Sequence, residues 1–259
     1  METIATKKLD TSELEQKVKK MYREVALKPN GEYHFEMGRS LAEKLGYEKI
    51  DLDRIPASAI ESFAGVGYYF DMANLKEGDH VLDLGSGSGM DSFIAALKVG
   101  ASGKVTGVDM TDEQLEKAEQ LRSGSHFDNV SFVKSYIETL PFPDKSFDAV
   151  ISNGVINLIP DKAKAFAELS RVLKPGGRMV IADIVTEKQL PENVTCNSTL
   201  WAACIGGASQ QDDYGMAIEK AGLKILMVRN NEAYSFISKS ARGASKEFGV
   251  KSVSLCAEK

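Results

Sequence analysis

Cysteine is scarce: Cys196, Cys204 and Cys256 are all that the chain contains. Three thiols cannot build a disulfide framework, so a packed core must carry stability, and a reducing, cytoplasmic setting is the expectation. Each thiol can equally serve as a small buried hydrophobe. Histidine is as rare, with three residues, and the histidines and cysteines show no zinc-ligand spacing. No apolar run approaches the roughly eighteen residues that a membrane-spanning helix needs. The opening METIATKKLDTSELEQKVKK lacks the apolar stretch of a secretion signal, so none is expected. No block of Lys and Arg stands out, and 32 basic against 37 acidic side chains leave a net charge of -5. That balance speaks against a nucleic acid partner, whose binding rests on neutralising phosphates.

What is present is apolar patterning. Hydrophobic residues make up 43% of the 259 residues, enough for one α/β domain with an appendage. Residues 11–25 carry Leu14, Val18, Met21 and Tyr22 on one stripe and are predicted helical. A second helix is expected over 37–46, closed by Gly46. The stretch 50–70 is broken by Pro56 and loosened by Gly65 and Gly67. From residue 80 the rhythm changes. HVLDLGSGSG (80–89), KVTGVDM (104–110), VSFVKS (130–135), FDAVISN (147–153) and RMVIADIV (178–185) are short apolar strands. Helices are expected between them, over 90–98, 111–123 (capped by Thr111) and 161–173 (closed by KPGG at 174–177). Strands alternating with helices imply a parallel sheet covered on both faces, with right-handed crossovers. Residues 186–213 interrupt the pattern as an inserted loop and helix. A helix at 214–222, a strand at 224–229, a helix over AYSFISKSARG and a strand at 250–258 complete the sheet edge. The expected fold is a Rossmann-like α/β sheet, mostly parallel, with a C-terminal antiparallel edge strand and helices on both faces. Residues 1–75 form a helical cover and 76–259 the sheet domain.

The sharpest feature is VLDLGSGSGMD, a strand running into Gly85, Ser86, Gly87 and Gly89. Glycines at such a strand end let the backbone approach a ligand, in the crevice where open α/β sheets bind. A dinucleotide fingerprint, G-x-G-x-x-G from Gly85, needs glycine at position 90, which is Met90. Asp83, two residues before Gly85, would repel a pyrophosphate but suits a cationic amino-acid group, as in S-adenosylmethionine; its alternative role is a cap. Asp109 ends the second strand and suits ribose hydroxyls, whichever of the two cofactors is bound. Met110 either packs on the adenine or fills core. Ile137 and Glu138 follow the third strand and can meet the adenine. Asn153 ends the fourth strand and can line the methionine side through side chain or backbone.

On VLDLGSGSGMD, GVDMT, IETLPFPDKSFDAVISNGVINL and RVLKPGGRM the chain resembles the class I S-adenosylmethionine-dependent methyltransferases, including those of ubiquinone and menaquinone synthesis. ISNGVINLIPDK, WAACIGGA and the N-terminal layout resemble the arsenite methyltransferases more closely. The resemblance implies S-adenosylmethionine as cofactor, with Asp83, Gly85 and Gly87 at its methionine end, Asp109 at the ribose and Ile137 and Glu138 beside the adenine. It implies three arsenic-binding thiols. Val66 and Gly154 stand at two of those positions, and Cys204 matches the third. A small-molecule acceptor follows, either trivalent arsenic or another thiophile, or an organic molecule. Cys204, with Cys196 eight residues away, and Asn153 are the candidates at the reacting centre. Phe63, Tyr68, Tyr69, Phe70 and Trp201 can wall the acceptor pocket, and Tyr22 or His34 can act as base for an oxygen acceptor. A nicotinamide oxidoreductase and a non-catalytic S-adenosylmethionine-binding regulator are the rivals from other classes. The helix faces leave the oligomeric state open.

Overall fold

Period-two alternation of apolar residues sets the sheet. In β1 (His80–Leu84) Val81 packs on one face, Leu82 and Leu84 on the other. In β5 (Leu173–Thr186) Val180, Ala182 and Ile184 join the first layer, and Met179, Ile181 and Val185 the second. The computed structural model describes residues 9–197, 200–201 and 205–259. Cys204, the sequence's candidate for the reacting centre, lies outside them.

Before β1 come α1 (Thr11–Leu27), α2 (Gly38–Leu45) and the short turns α3 (Lys49–Leu52), α4 (Ala57–Glu61) and α5 (Phe70–Ala73). After it follow α6 (Met90–Val99), β2 (Lys104–Asp109), α7 (Asp112–Ser123), β3 (Val130–Lys134), β4 (Phe147–Asn153) and α8 (Lys162–Val172). β5 leads to α9 (Glu192–Thr195), β6 (Ser209–Gln210), α10 (Gln211–Lys220), β7 (Lys224–Asn230), α11 (Lys239–Phe248) and β8 (Lys251–Glu258). The strand order is β3-β2-β1-β4-β5-β8-β7, and β6 pairs with the far end of β5. β1 to β5 are mutually parallel, and β8 runs antiparallel to both β5 and β7. The mostly parallel sheet with an antiparallel C-terminal edge is thus present, as the β7–β8 pair. The order reverses between β1, β2 and β4, so the switch point falls at the carboxyl ends of β1 and β4.

One layer joins the N-terminal helices to α6, with Leu14, Val18, Leu41, Phe63 and Phe93 in a continuous cluster. The other packs α8 and α10 on the opposite face through Phe166, Leu169, Tyr214 and Ile218. α1 starts at an Asp10 side chain that accepts from the Glu13 amide, and it lies along α7.

Three local expectations differ from the structure. KPGG does not end a helix before a separate strand. It lies inside β5, where the register against β4 shifts and the Gly176 amide bonds the Lys259 carbonyl. The helix expected over AYSFISKSARG begins only at Lys239, because Ser238 caps it, and it runs on to Gly249. Thr111 occupies the N-cap position of α7 but its side chain makes no capping bond; its amide donates instead to Asp109 Oδ1 at 2.8 Å.

Phe166 is fully buried and meets the Tyr214 ring edge-on at 5.2 Å between centroids. Phe166→Ala should cost about 3–5 kcal/mol, read as a lowered midpoint in urea unfolding.

Candidate active site

The turn after β1 is a backbone cradle. Its amides are turned to fixed partners: Ser86 N to Val108 O at 2.9 Å and Gly87 N to Asp109 Oδ2 at 3.0 Å. Gly85 has φ +66, and a Cβ there would sit 2.4 Å from Val155 Cγ2. Only glycine lets the end of β1 pass under the segment that follows β4. Ser86 Oγ is buried and has no hydrogen-bond partner, so the cradle holds a polar atom still to be satisfied.

Three carboxylates gather around it. Asp83, at 2% exposure, accepts from Ser92 Oγ at 2.6 Å. Burial, and then the nearby Asp91 carboxylate, push its pKa well above the usual carboxylate range. Asp91 sits in the first turn of α6, a helix buried on every side. It accepts from Tyr47 Oη at 2.7 Å, Tyr69 Oη at 2.7 Å and Asn153 Nδ2 at 3.1 Å. Burial still raises its pKa, against the pull of those three donors. Both tyrosines are held well above their ordinary pKa, chiefly by burial, and remain donors. Asp109 is likewise raised by burial, although the Thr111 and Gly87 amides favour its charged form. No lysine, arginine or histidine among the described residues pairs with Asp83 or Asp91. Buried negative charge of this kind is costly unless a cation meets it.

These groups open on one cavity of about 380 Å³ along the carboxyl ends of β3, β2, β1 and β4. Asp83, Gly85, Ser86, Gly87, Asp109, Met110, Ile137, Glu138 and Asn153 all line it. The sequence reading therefore selected residues that the fold brings together. α1 closes one side with Leu14, Glu15, Val18 and Tyr22. Tyr136 Oη donates to Glu15 Oε1 at 2.6 Å and ties α1 to the loop after β3. Gln114 bridges further, accepting from Ser88 Oγ and donating to the Tyr22 carbonyl.

Other expected residues fall elsewhere. Phe63 and Tyr22 line the cavity, whereas Tyr68, Tyr69, Phe70, Trp201 and His34 do not. The Asn153 carboxamide is engaged in holding the loop from Gly65 to Gly67. Its Oδ1 accepts from the Val66 amide at 2.7 Å and its Nδ2 donates to the Gly67 carbonyl at 3.0 Å. Val66 and Gly154 adjoin each other: a Cβ on Gly154 would lie 3.3 Å from Val66 Cγ1. Neither offers a side-chain electron pair. Cys196 is a half-buried free thiol, and Cys256 is buried in the sheet.

Sequence reasoning missed the Asp91–Tyr47–Tyr69 cluster. Its one local signal was an acid opening the otherwise apolar helix MDSFIAALK.

The chain belongs to the methyltransferase-domain family, whose description "Methyltransferase domain" matches residues 75–222. Among its relatives, the arsenite methyltransferase of Halobacterium salinarum is 38% identical over 198 residues, covering 76% of this chain and 50% of that protein. The human arsenite methyltransferase is 41% identical over 151 residues, covering 55% of this chain and 40% of that protein. The crystal structure of an arsenic(III) S-adenosylmethionine methyltransferase from Chlamydomonas reinhardtii superposes with a TM-score of 0.69 at 36% identity, over 81% of this chain and 71% of that one. Geranyl diphosphate C-methyltransferase from Streptomyces coelicolor shares the fold across 96% of this chain and 99% of its own, with a TM-score of 0.69 at 18% identity. The chain spans about half the length, or less, of the curated relatives named here. It is thus a class I methyltransferase chain related to the arsenite methyltransferases, and its fold and relatives imply binding of S-adenosylmethionine.

Gly85→Ala should abolish detectable S-adenosylhomocysteine binding in isothermal titration while far-ultraviolet circular dichroism stays that of the parent. Tight binding by this variant would show that the close approach to Val155 is dispensable.

Proposed function

We propose that the protein transfers a methyl group from S-adenosylmethionine to a small-molecule acceptor. One observation carries the reading: a cavity at the switch point of the sheet holds Asp83 and Asp91 buried with no cation among the described residues, and Ser86 Oγ unsatisfied. The group fits these residues, because it carries an ammonium and a sulfonium and no phosphate. Asp83 with Gly85, Ser86 and Gly87 would hold its amino-acid end. Asp109 would take the ribose hydroxyls, and Met110, Ile137 and Glu138 would flank the adenine.

The cofactor supplies an electrophilic methyl on a sulfonium whose departure needs no proton. The chain's own work is then alignment and exclusion of water. Asn153 acts as a positioning residue, fixing the Gly65–Gly67 loop over the end of β4. Residues 1–75 serve as the cover, with α1 held down through Glu15 and Tyr136.

A second reading, transfer to trivalent arsenic, is favoured by the arsenite methyltransferases among the relatives. Val66 and Gly154 count against it, because a soft, thiophilic atom would meet no thiol at two adjoining positions. In that reading Cys204 is the remaining thiol at the reacting centre.

Titration calorimetry should give micromolar or tighter S-adenosylhomocysteine binding and none for NAD. Binding of NAD in its place would overturn the methyl-transfer reading. For the acceptor, arsenite should yield no S-adenosylhomocysteine above the blank; turnover that Cys204→Ser abolishes would move arsenic to the front.

A further inference from the structure

The cavity runs along the carboxyl ends of four strands. The strand order places β3 and β4 on opposite sides of β1, so its two ends lie apart. Toward β3 lie Asp109, Ser135 and Glu138, mixed with Met110 and Ile137, while Asp83 and Asp91 sit in the middle at the end of β1. Toward β4, beside Asn153, Phe63, Ala64, Val155, Leu158, Ile159 and Pro160 form an apolar stretch of wall. These walls are close neighbours of Gly85 and Asn153. An added Gly65 Cβ would meet Phe63 at 2.3 Å and Asn153 Nδ2 at 2.7 Å, and an added Gly85 Cβ would meet Val155.

No lysine, arginine or histidine is among the described residues that line the cavity; its charged lining is Glu15, Asp83, Asp91, Asp109 and Glu138. Three lysines reach lining residues from outside, and each spends its ammonium on the protein. Lys19 bonds Glu15 and Tyr136. Lys117 bonds Ser62 Oγ at 2.7 Å and the Ala26 carbonyl. Lys162 bonds the carbonyls of Asn157 and Ile159 and lies 4.9 Å over the Trp201 ring. The Lys162 bonds also brace the turn that carries Leu158 and Ile159, so this wall is preformed.

Resting on the methyl-transfer reading, we propose that the acceptor is an uncharged, largely apolar organic molecule seated against Phe63, Val155, Leu158 and Ile159. An anionic acceptor would leave water for an apolar stretch of wall with no cationic side chain among the described lining residues. A neutral one gains from burial of its surface at no such cost. Selection against charge is therefore built into the site by what the wall withholds.

The test uses two matched probes, 2-naphthol and 6-hydroxy-2-naphthoate, which differ by one carboxylate. Each is titrated into protein saturated with S-adenosylhomocysteine. The expected result is at least about tenfold tighter binding of 2-naphthol, with Leu158→Lys narrowing or inverting that preference by giving the carboxylate a partner. Equal or tighter binding of the naphthoate by the parent protein would overturn the inference. So would sodium arsenite binding to the saturated protein and blocking 2-naphthol. The parent comparison stands even where Leu158→Lys does not fold. Failure of S-adenosylhomocysteine itself to bind is a separate outcome, and it removes the methyl-transfer reading instead.

Discussion

Asp83 and Asp91 share a buried corner at the carboxyl end of β1, and much of the molecule is arranged to keep them there. Tyr47 and Tyr69 from the cover and Asn153 from β4 all donate to Asp91. Ser92 donates to Asp83 from the same helix. Two tyrosines committed to one carboxylate tie the N-terminal region to α6, and Asn153 ties β4 to the loop above it. The hydrogen bonds satisfy oxygens, but they bring no positive charge. A corner so built is stable as a polar network and remains electrostatically incomplete.

That incompleteness links fold to chemistry. Desolvation disfavours charge on these carboxyls, and a cationic ligand beside them favours the charged form and meets preorganised partners. The carboxylates lie at the ends of β1 and β2 and in α6, and an apolar stretch of wall lies beside the end of β4. The two meet at Gly85 and Val155, where the strand end and the segment after β4 come within contact. The same glycine that lets the backbone approach a ligand also brings them together.

The sheet was legible because each strand carries its own signal. Val81 against Leu82 and Leu84, or Val180 against Ile181, alternates without help from distant residues. The residues at strand ends were legible too, because position along a strand fixes position in the crevice. Asp83, Asp109, Ile137, Glu138 and Asn153 needed only the topology to meet. Contacts between residues far apart in the chain were hidden. Tyr47 and Asp91 are 44 residues apart, and Tyr136 and Glu15 are 121 apart, with no periodicity connecting them. The aromatic residues misled in part: Phe63 lines the cavity, but Tyr68, Tyr69, Phe70 and Trp201 do not. Tyr69 and Phe70 looked like pocket walls, yet Tyr69 spends its hydroxyl on Asp91 and its ring in the core. The turn at KPGG looked like a helix stop, and pairing with β4 and β8 drew it into β5.

The claim on which this account turns is that a cation from the ligand completes the Asp83–Asp91 corner. In the free protein burial, and then the nearby Asp91 carboxylate, raise the Asp83 pKa and favour its protonated form. An ammonium arriving beside it favours the charged form, lowers the pKa and expels that proton. Calorimetric titration of S-adenosylhomocysteine at pH 7, repeated in buffers of different ionisation enthalpy, counts the protons exchanged. The account predicts net proton release that Asp83→Asn removes. Binding with no proton exchange, or with proton uptake, would contradict it.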